Sequence, residues 1–110
     1  MKTLTLSLFF LFISSLSFSQ KKTETIIIQT SAQCGDCKNR IESKLNYLKG
    51  VKFAELDLDS KKVTVKFKTA LVSRKEILEA IAAVGYSADE VKAKQEDVEK
   101  LPKCCQPGGH

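Results

Sequence analysis

The sequence predicts an α+β domain: a four-stranded antiparallel sheet carrying two helices on one face. Three observations predict it. Two stretches, around 37–48 and 77–84, repeat apolar residues at helical spacing. Between them, residues 54–58 and 63–67 alternate apolar and polar side chains across a short polar link, as a half-buried hairpin does. A β-branched run before the first helix and a weaker extended stretch after the second supply the other two strands.

Taken in order, "ETIIIQT" at 24–30 is β-branched and apolar and reads as the first strand. The first helix then carries Cys37, Ile41, Leu45 and Leu48 on one stripe. Asp36 sits at its start, where a carboxylate suits the positive end of the helix dipole. Lys49-Gly50 is expected to close it, with a basic residue and a glycine C-cap. "VKFAELDLD" turns Ala54, Leu56 and Leu58 to one side, "SKK" makes the turn, and "VTVKFK" turns Val63, Val65 and Phe67 inward. Ser73 with Glu76 three residues on is a capping box for the second helix. That helix shows Ile77, Ile81 and Val84, widened by Leu78, and Gly85 stops it. "YSADEVKA" at 86–93 is the expected fourth strand. The order β-α-β-β-α-β folds as the ferredoxin-like arrangement, with right-handed crossovers. The same topology brings the loop before the first helix close to Gly85-Tyr86.

The regions outside this unit differ in character. Residues 1–19 read as a signal peptide: Lys2, a nearly apolar run from Leu4 to Phe12, and small residues Ser17 and Ser19 before the expected cleavage. The run falls short of the roughly 20 apolar residues that a bilayer span needs. No cysteine lies near the cleavage point, so a lipoprotein anchor is not indicated. The domain then occupies 20–93, and 94–110 form a polar tail, with a short turn or helix at 95–101 and a flexible end from Pro102. The 110-residue chain carries a net +5, of which Lys2 leaves with the signal. Its lysines are spread rather than massed and aromatic residues are sparse in the mature part, so nucleic-acid binding is not expected. The mature protein is expected to be a monomer with no stable membrane association, periplasmic or secreted.

The chemistry lies in cysteine. Cys34 and Cys37 form a C-x-x-C at the mouth of the first helix, where the helix dipole favours the thiolate. Thiolates select soft ions such as Cu(I), and two local sulfurs suit an ion of low coordination better than structural zinc, which takes four ligands. The spacing alone leaves a redox dithiol open. A disulfide-stabilised interaction domain is a third reading in an oxidising compartment, although a C-x-x-C ring staples little chain. Against the redox reading, Pro102 and Pro107 are the only prolines and both lie in the tail, so no proline loop is available to face the pair. Cys104 and Cys105 are adjacent in the tail and His110 closes the chain; these three are candidate additional ligands, as a second soft-metal site or as an arm that brings extra thiols to the first pair, against a vicinal disulfide or a passive tail.

"CGDCKNRIESKLNYLKGVKFAELDLDSKKVTVKF" followed by "EILEAIAAVGY" resembles the heavy-metal-associated domain family. The family includes copper chaperones, metal-binding modules of P-type ATPases and the periplasmic mercury-binding protein. The resemblance covers residues 24 to about 92. It implies the ferredoxin-like fold, Cys34 and Cys37 as metal ligands, and Tyr86 at the aromatic position beside the metal loop. Its usual Gly-Met-Thr before the first cysteine is replaced here by Ser31-Ala32-Gln33. The expectation is therefore an exported, non-enzymatic carrier or scavenger of Cu(I), with Hg(II), Zn(II) and Cd(II) as other possible ions. Its partner would be a metal-transporting membrane ATPase or another thiol-bearing acceptor. The alternative is a thiol–disulfide oxidoreductase or redox dithiol protein.

Overall fold

The structure is a computed structural model that describes residues 22–107. The expected signal peptide at 1–19 and the candidate ligand His110 lie outside the described residues. Strand β1 spans Thr23–Gln29, helix α1 Gly35–Asn46, β2 Val51–Asp57, β3 Lys62–Lys68, α2 Arg74–Ala83 and a short α3 Gln95–Glu99. A single 3₁₀ turn follows at Lys103–Cys105. No helix among the described residues is long and apolar enough to cross a membrane.

The described sheet is antiparallel in the order β1-β3-β2. Ile26 pairs with Val65 and Ile28 with Val63 across β1 and β3, while Ala54 and Leu56 face Val65 and Val63 from β2. The same alternation that marks these strands in the sequence puts Ile28, Ala54, Leu56, Val63, Val65 and Phe67 on the covered face. Cys37, Ile41 and Leu45 of α1 and Ile77, Leu78, Ala80 and Ile81 of α2 close the core from above. Ser73 caps α2 as expected, its hydroxyl accepting from the Glu76 amide at 3.2 Å.

Three local expectations are corrected. The fourth strand, expected over 86–93, is among the described residues only a pair of isolated bridges, Thr30 with Ala88 and Ala88 with Val91. The segment folds back on itself: the amides of Ala88 and Val91 donate to each other's carbonyls at 2.8 and 2.9 Å. Asp89 takes φ +47° at the bend, and Arg74 holds the bend through ion pairs to Asp89 and Glu90 at 3.0 and 2.8 Å. Gly50 is not the cap of α1, which closes at Tyr47; it sits in the following turn at φ +97°, where a Cβ would lie 2.8 Å from Val72. Leu58 falls beyond the end of β2, in the turn organised by the Asp57 carboxylate, and is 39% exposed.

Candidate metal centre

The loop that carries the first cysteine is shaped from its polar side chains. The buried Thr30 hydroxyl donates to the Lys61 carbonyl at 2.7 Å and accepts from the Ala32 amide at 3.2 Å. The Ser31 hydroxyl accepts from the Ser87 amide at 3.0 Å, which ties the loop to the segment after α2. Ala32, standing where the family has methionine, is fully buried in the core cluster. The chain then turns into α1 with Cys34 as its N-cap residue in extended conformation, its carbonyl accepting from the Lys38 amide at 3.0 Å. Cys37 lies in the first turn and points into the core, while Cys34 stays half-buried. Their sulfurs are 3.4 Å apart as free thiols. Asp36 is exposed. Lys38 spends its ammonium on the Leu56 carbonyl at 2.8 Å and on Glu42 at 3.4 Å, tying α1 to β2 rather than neutralising the thiols.

The C-terminal segment meets this pair. The sequence led us to expect a flexible end from Pro102; instead the segment is docked. Leu101 is 6% exposed and packs over Gly85, where an added Cβ would lie 2.9 Å from the leucine and from the Asp97 carbonyl. The Gln33 side chain donates to the Gln106 carbonyl at 2.9 Å, and Gln106 donates back to the Leu101 carbonyl at 2.9 Å. Between these anchors the 3₁₀ turn buries Cys105, whose sulfur lies 3.8 Å from that of Cys34 and 3.9 Å from that of Cys104. The ligand atoms of Cys34, Cys104 and Cys105 all lie within 4.8 Å of one another. All four cysteines therefore converge. Composition could not reveal this; the isolated Leu101 and the glycine at 85 were the signals available.

Tyr86 closes the floor. It is fully buried, and its hydroxyl has no oxygen or nitrogen partner among the described residues and faces the thiols of Cys37 and Cys105. Burial opposes ionisation of Cys37, but hydrogen bonds from Tyr86, Cys105, the Gln33 backbone and Cys34 outweigh it and lower the thiol from 9.0 to about 7. Cys105 goes the other way, pushed up to about 12 by its burial and by sharing hydrogen bonds with a Cys37 that ionises first. Burial and the same two thiols raise the Tyr86 hydroxyl, which stays a donor. The site thus eases ionisation of the Cys37 thiol, with the buried Tyr86 hydroxyl beside it. Tyr86 stands beside the cysteine loop, where the resemblance puts an aromatic residue, and it also acts on Cys37 electrostatically.

The profile of the heavy-metal-associated domain matches residues 31–87, just over half of the chain. The chain belongs to the heavy-metal-associated domain family. A copper chaperone, CopZ of Staphylococcus epidermidis, is 38% identical over 64 residues, covering 58% of this chain and 94% of that protein. Copper-transporting ATPase 2 of Rattus norvegicus is 32% identical over 62 residues, 56% of this chain but only 4% of the ATPase. The crystal structure of oxidized MerP from Ralstonia metallidurans superposes with a TM-score of 0.60, over 62% of this chain and 96% of that one; at 20% identity the likeness is one of fold. The heavy-metal-associated match ends at Ser87, so α3, Leu101 and the Cys104-Cys105 pair lie outside the part of the chain that the family describes.

Proposed function

We propose that the chain is an exported carrier or scavenger of Cu(I) or a similar thiophilic ion, captured by the thiolates of Cys34 and Cys37 and handed on by ligand exchange. The observation that carries the reading is the free thiol pair, 3.4 Å apart at the N-terminus of α1, in a chain of the heavy-metal-associated family. The helix N-terminus and the Tyr86 hydroxyl favour the anionic sulfur that a soft cation needs. In capture, each thiol gives its proton to solvent as a sulfur–metal bond forms. In transfer, an acceptor thiolate forms one sulfur–metal bond for each that breaks, and no electron moves. Hg(II), Zn(II) and Cd(II) are chemically admissible at the same sulfurs. The relatives named above support a thiol-bearing acceptor such as a metal-transporting ATPase. Export rests on the pattern of residues 1–19. The redox alternative is not favoured: the residues that face the pair are Tyr86 and Cys105, and the nearest proline in sequence, Pro102, precedes the 3₁₀ turn.

The test is an anaerobic Cu(I) titration of the reduced chain lacking residues 1–19, against a chromogenic competitor. Cys34→Ser with Cys37→Ser is expected to abolish tight binding while the circular dichroism of the fold is kept. Unchanged affinity in that variant would overturn the assignment.

A further inference from the structure

We infer that the C-terminal segment is part of the metal site: Cys104 and Cys105 join Cys34, one of the two capturing thiols, on the bound ion, and the docked strap 95–106 holds that ion until it lifts. The inference rests on the reading of Cys34 and Cys37 given above and extends it to thiols outside the family match.

Geometry carries it. Metal–sulfur bonds of about 2.3 Å place the three sulfurs of a trigonal site about 4 Å from one another. Cys34 and Cys105 stand at 3.8 Å, Cys104 and Cys105 at 3.9 Å, and all three ligand atoms fall within 4.8 Å. Cys34 belongs both to this triangle and to the C-x-x-C pair, so one ion touching Cys34 reaches sulfur from both ends of the chain. The arrangement does not depend on sulfur contacts alone. Leu101 seated over Gly85 and the Gln33–Gln106 hydrogen bond place the 3₁₀ turn from either side. The Tyr86 hydroxyl, fully buried and without an oxygen or nitrogen partner, is aimed into the same space. Cys104 is half-buried and stands at the rim, while Cys105 is covered.

The consequence concerns release. A two-sulfur ion on an open loop is accessible to an incoming thiolate; a third or fourth sulfur from the same chain fills the coordination that the acceptor would use. Because the added thiols are tethered, they rebind faster than they escape. Transfer then requires the strap to lift, which breaks the Leu101 contact and the glutamine hydrogen bonds. Each added thiol exchanges its proton for the metal, with no redox change.

The experiment compares Cu(I)-loaded full chain with Cys104→Ser/Cys105→Ser and with Leu101→Ala, which keeps all four thiols. X-ray absorption is expected to count at least three sulfurs per ion in the full chain and two in the double serine variant. Both variants are expected to release Cu(I) to an external chelator about tenfold faster or more. Two sulfurs in the full chain, or equal release rates for the full chain and the double serine variant, would overturn the strap and leave the Cys34/Cys37 assignment standing. Unchanged binding after loss of Cys34 and Cys37 would overturn that assignment instead. A single Cys104→Ser variant at the half-buried position serves if the double variant fails to fold.

Discussion

The chain has two cysteine pairs, and they reach the same place by different means. Cys34 and Cys37 are set by regular structure: a loop pinned through Thr30 and Ser31, then the first turn of α1, whose Ile41 and Leu45 are buried against the sheet. Cys104 and Cys105 are set by a short strap with one apolar anchor, Leu101, and two glutamine side chains. Each pair offers one buried and one half-buried sulfur. The difference lies in what must break to move them. Displacing the first pair unravels a helix that packs on β2 and α2. Displacing the second costs the burial of Leu101 and Cys105 and a few hydrogen bonds, but unravels no core helix, so the second pair is the one suited to move during function.

The largest effects come from breaking that contrast outright. Leu45→Ala, at a fully buried site under α1, is expected to lower stability by about 2–5 kcal/mol and to release both cysteine pairs together. Leu101→Ala is expected to cost about 2 kcal/mol or less, because the end of the strap can close the space, and to make the segment after Ala93 cleavable by protease while 22–93 stays protected. Denaturant midpoints and limited proteolysis read the two outcomes. Equal losses of stability would mean that the strap is an integral part of the core.

A smaller effect follows from the opposed thiols. Cys37 is lowered from 9.0 to about 7, so in the metal-free protein its contribution to stability is fully present above pH 9 and is lost as pH falls through 7. Cys105 is raised from 9.0 to about 12, so its contribution is present below pH 9 and fades as pH rises towards 12. Thiolate absorbance of the reduced protein is expected to show one cysteine titrating near 7. Tyr86→Phe removes the hydroxyl that faces Cys37 and is expected to move that titration upward. An unmoved midpoint would show that the tyrosine hydroxyl does not reach the sulfur.

The smallest expected effect belongs to the bend at 88–91, which lies between the two pairs and is held by Arg74. The guanidinium beside Glu90 lowers that carboxyl from 4.5 to about 2. Its contribution is present above pH 4.5 and lost as pH falls through about 2. Both side chains are solvent-facing, so Glu90→Gln is expected to leave the neutral-pH denaturant midpoint almost unchanged and to flatten only the acid limb of the stability curve.

The elements whose information is local were legible in the sequence. Strict alternation gave the β2–β3 hairpin, the 3.6-residue stripes gave α1 and α2, and Ser73 with Glu76 gave the start of α2. The C-x-x-C at a helix mouth gave the first half of the candidate site, because its spacing and the helix dipole act within a few residues. The other features depended on contacts distant in sequence. Residues 86–93 carry enough β-character to suggest a strand, but the chain bends at Asp89, which is hydrogen-bonded to Gln29 and ion-paired to Arg74, and only isolated bridges form. The end from Pro102 reads as flexible because it is polar and contains prolines and glycines; Leu101 seated over a glycine that lacks a Cβ, the Gln33–Gln106 hydrogen bond and the buried Cys105 dock it. Sequence by itself therefore determined α1 and α2, the short helical turn of the tail, three strands and one thiol pair. Only the tertiary structure decided that a second pair, 71 residues from Cys34 at Cys105, shares the same space, since that proximity comes from packing between segments whose local patterns carry no trace of each other.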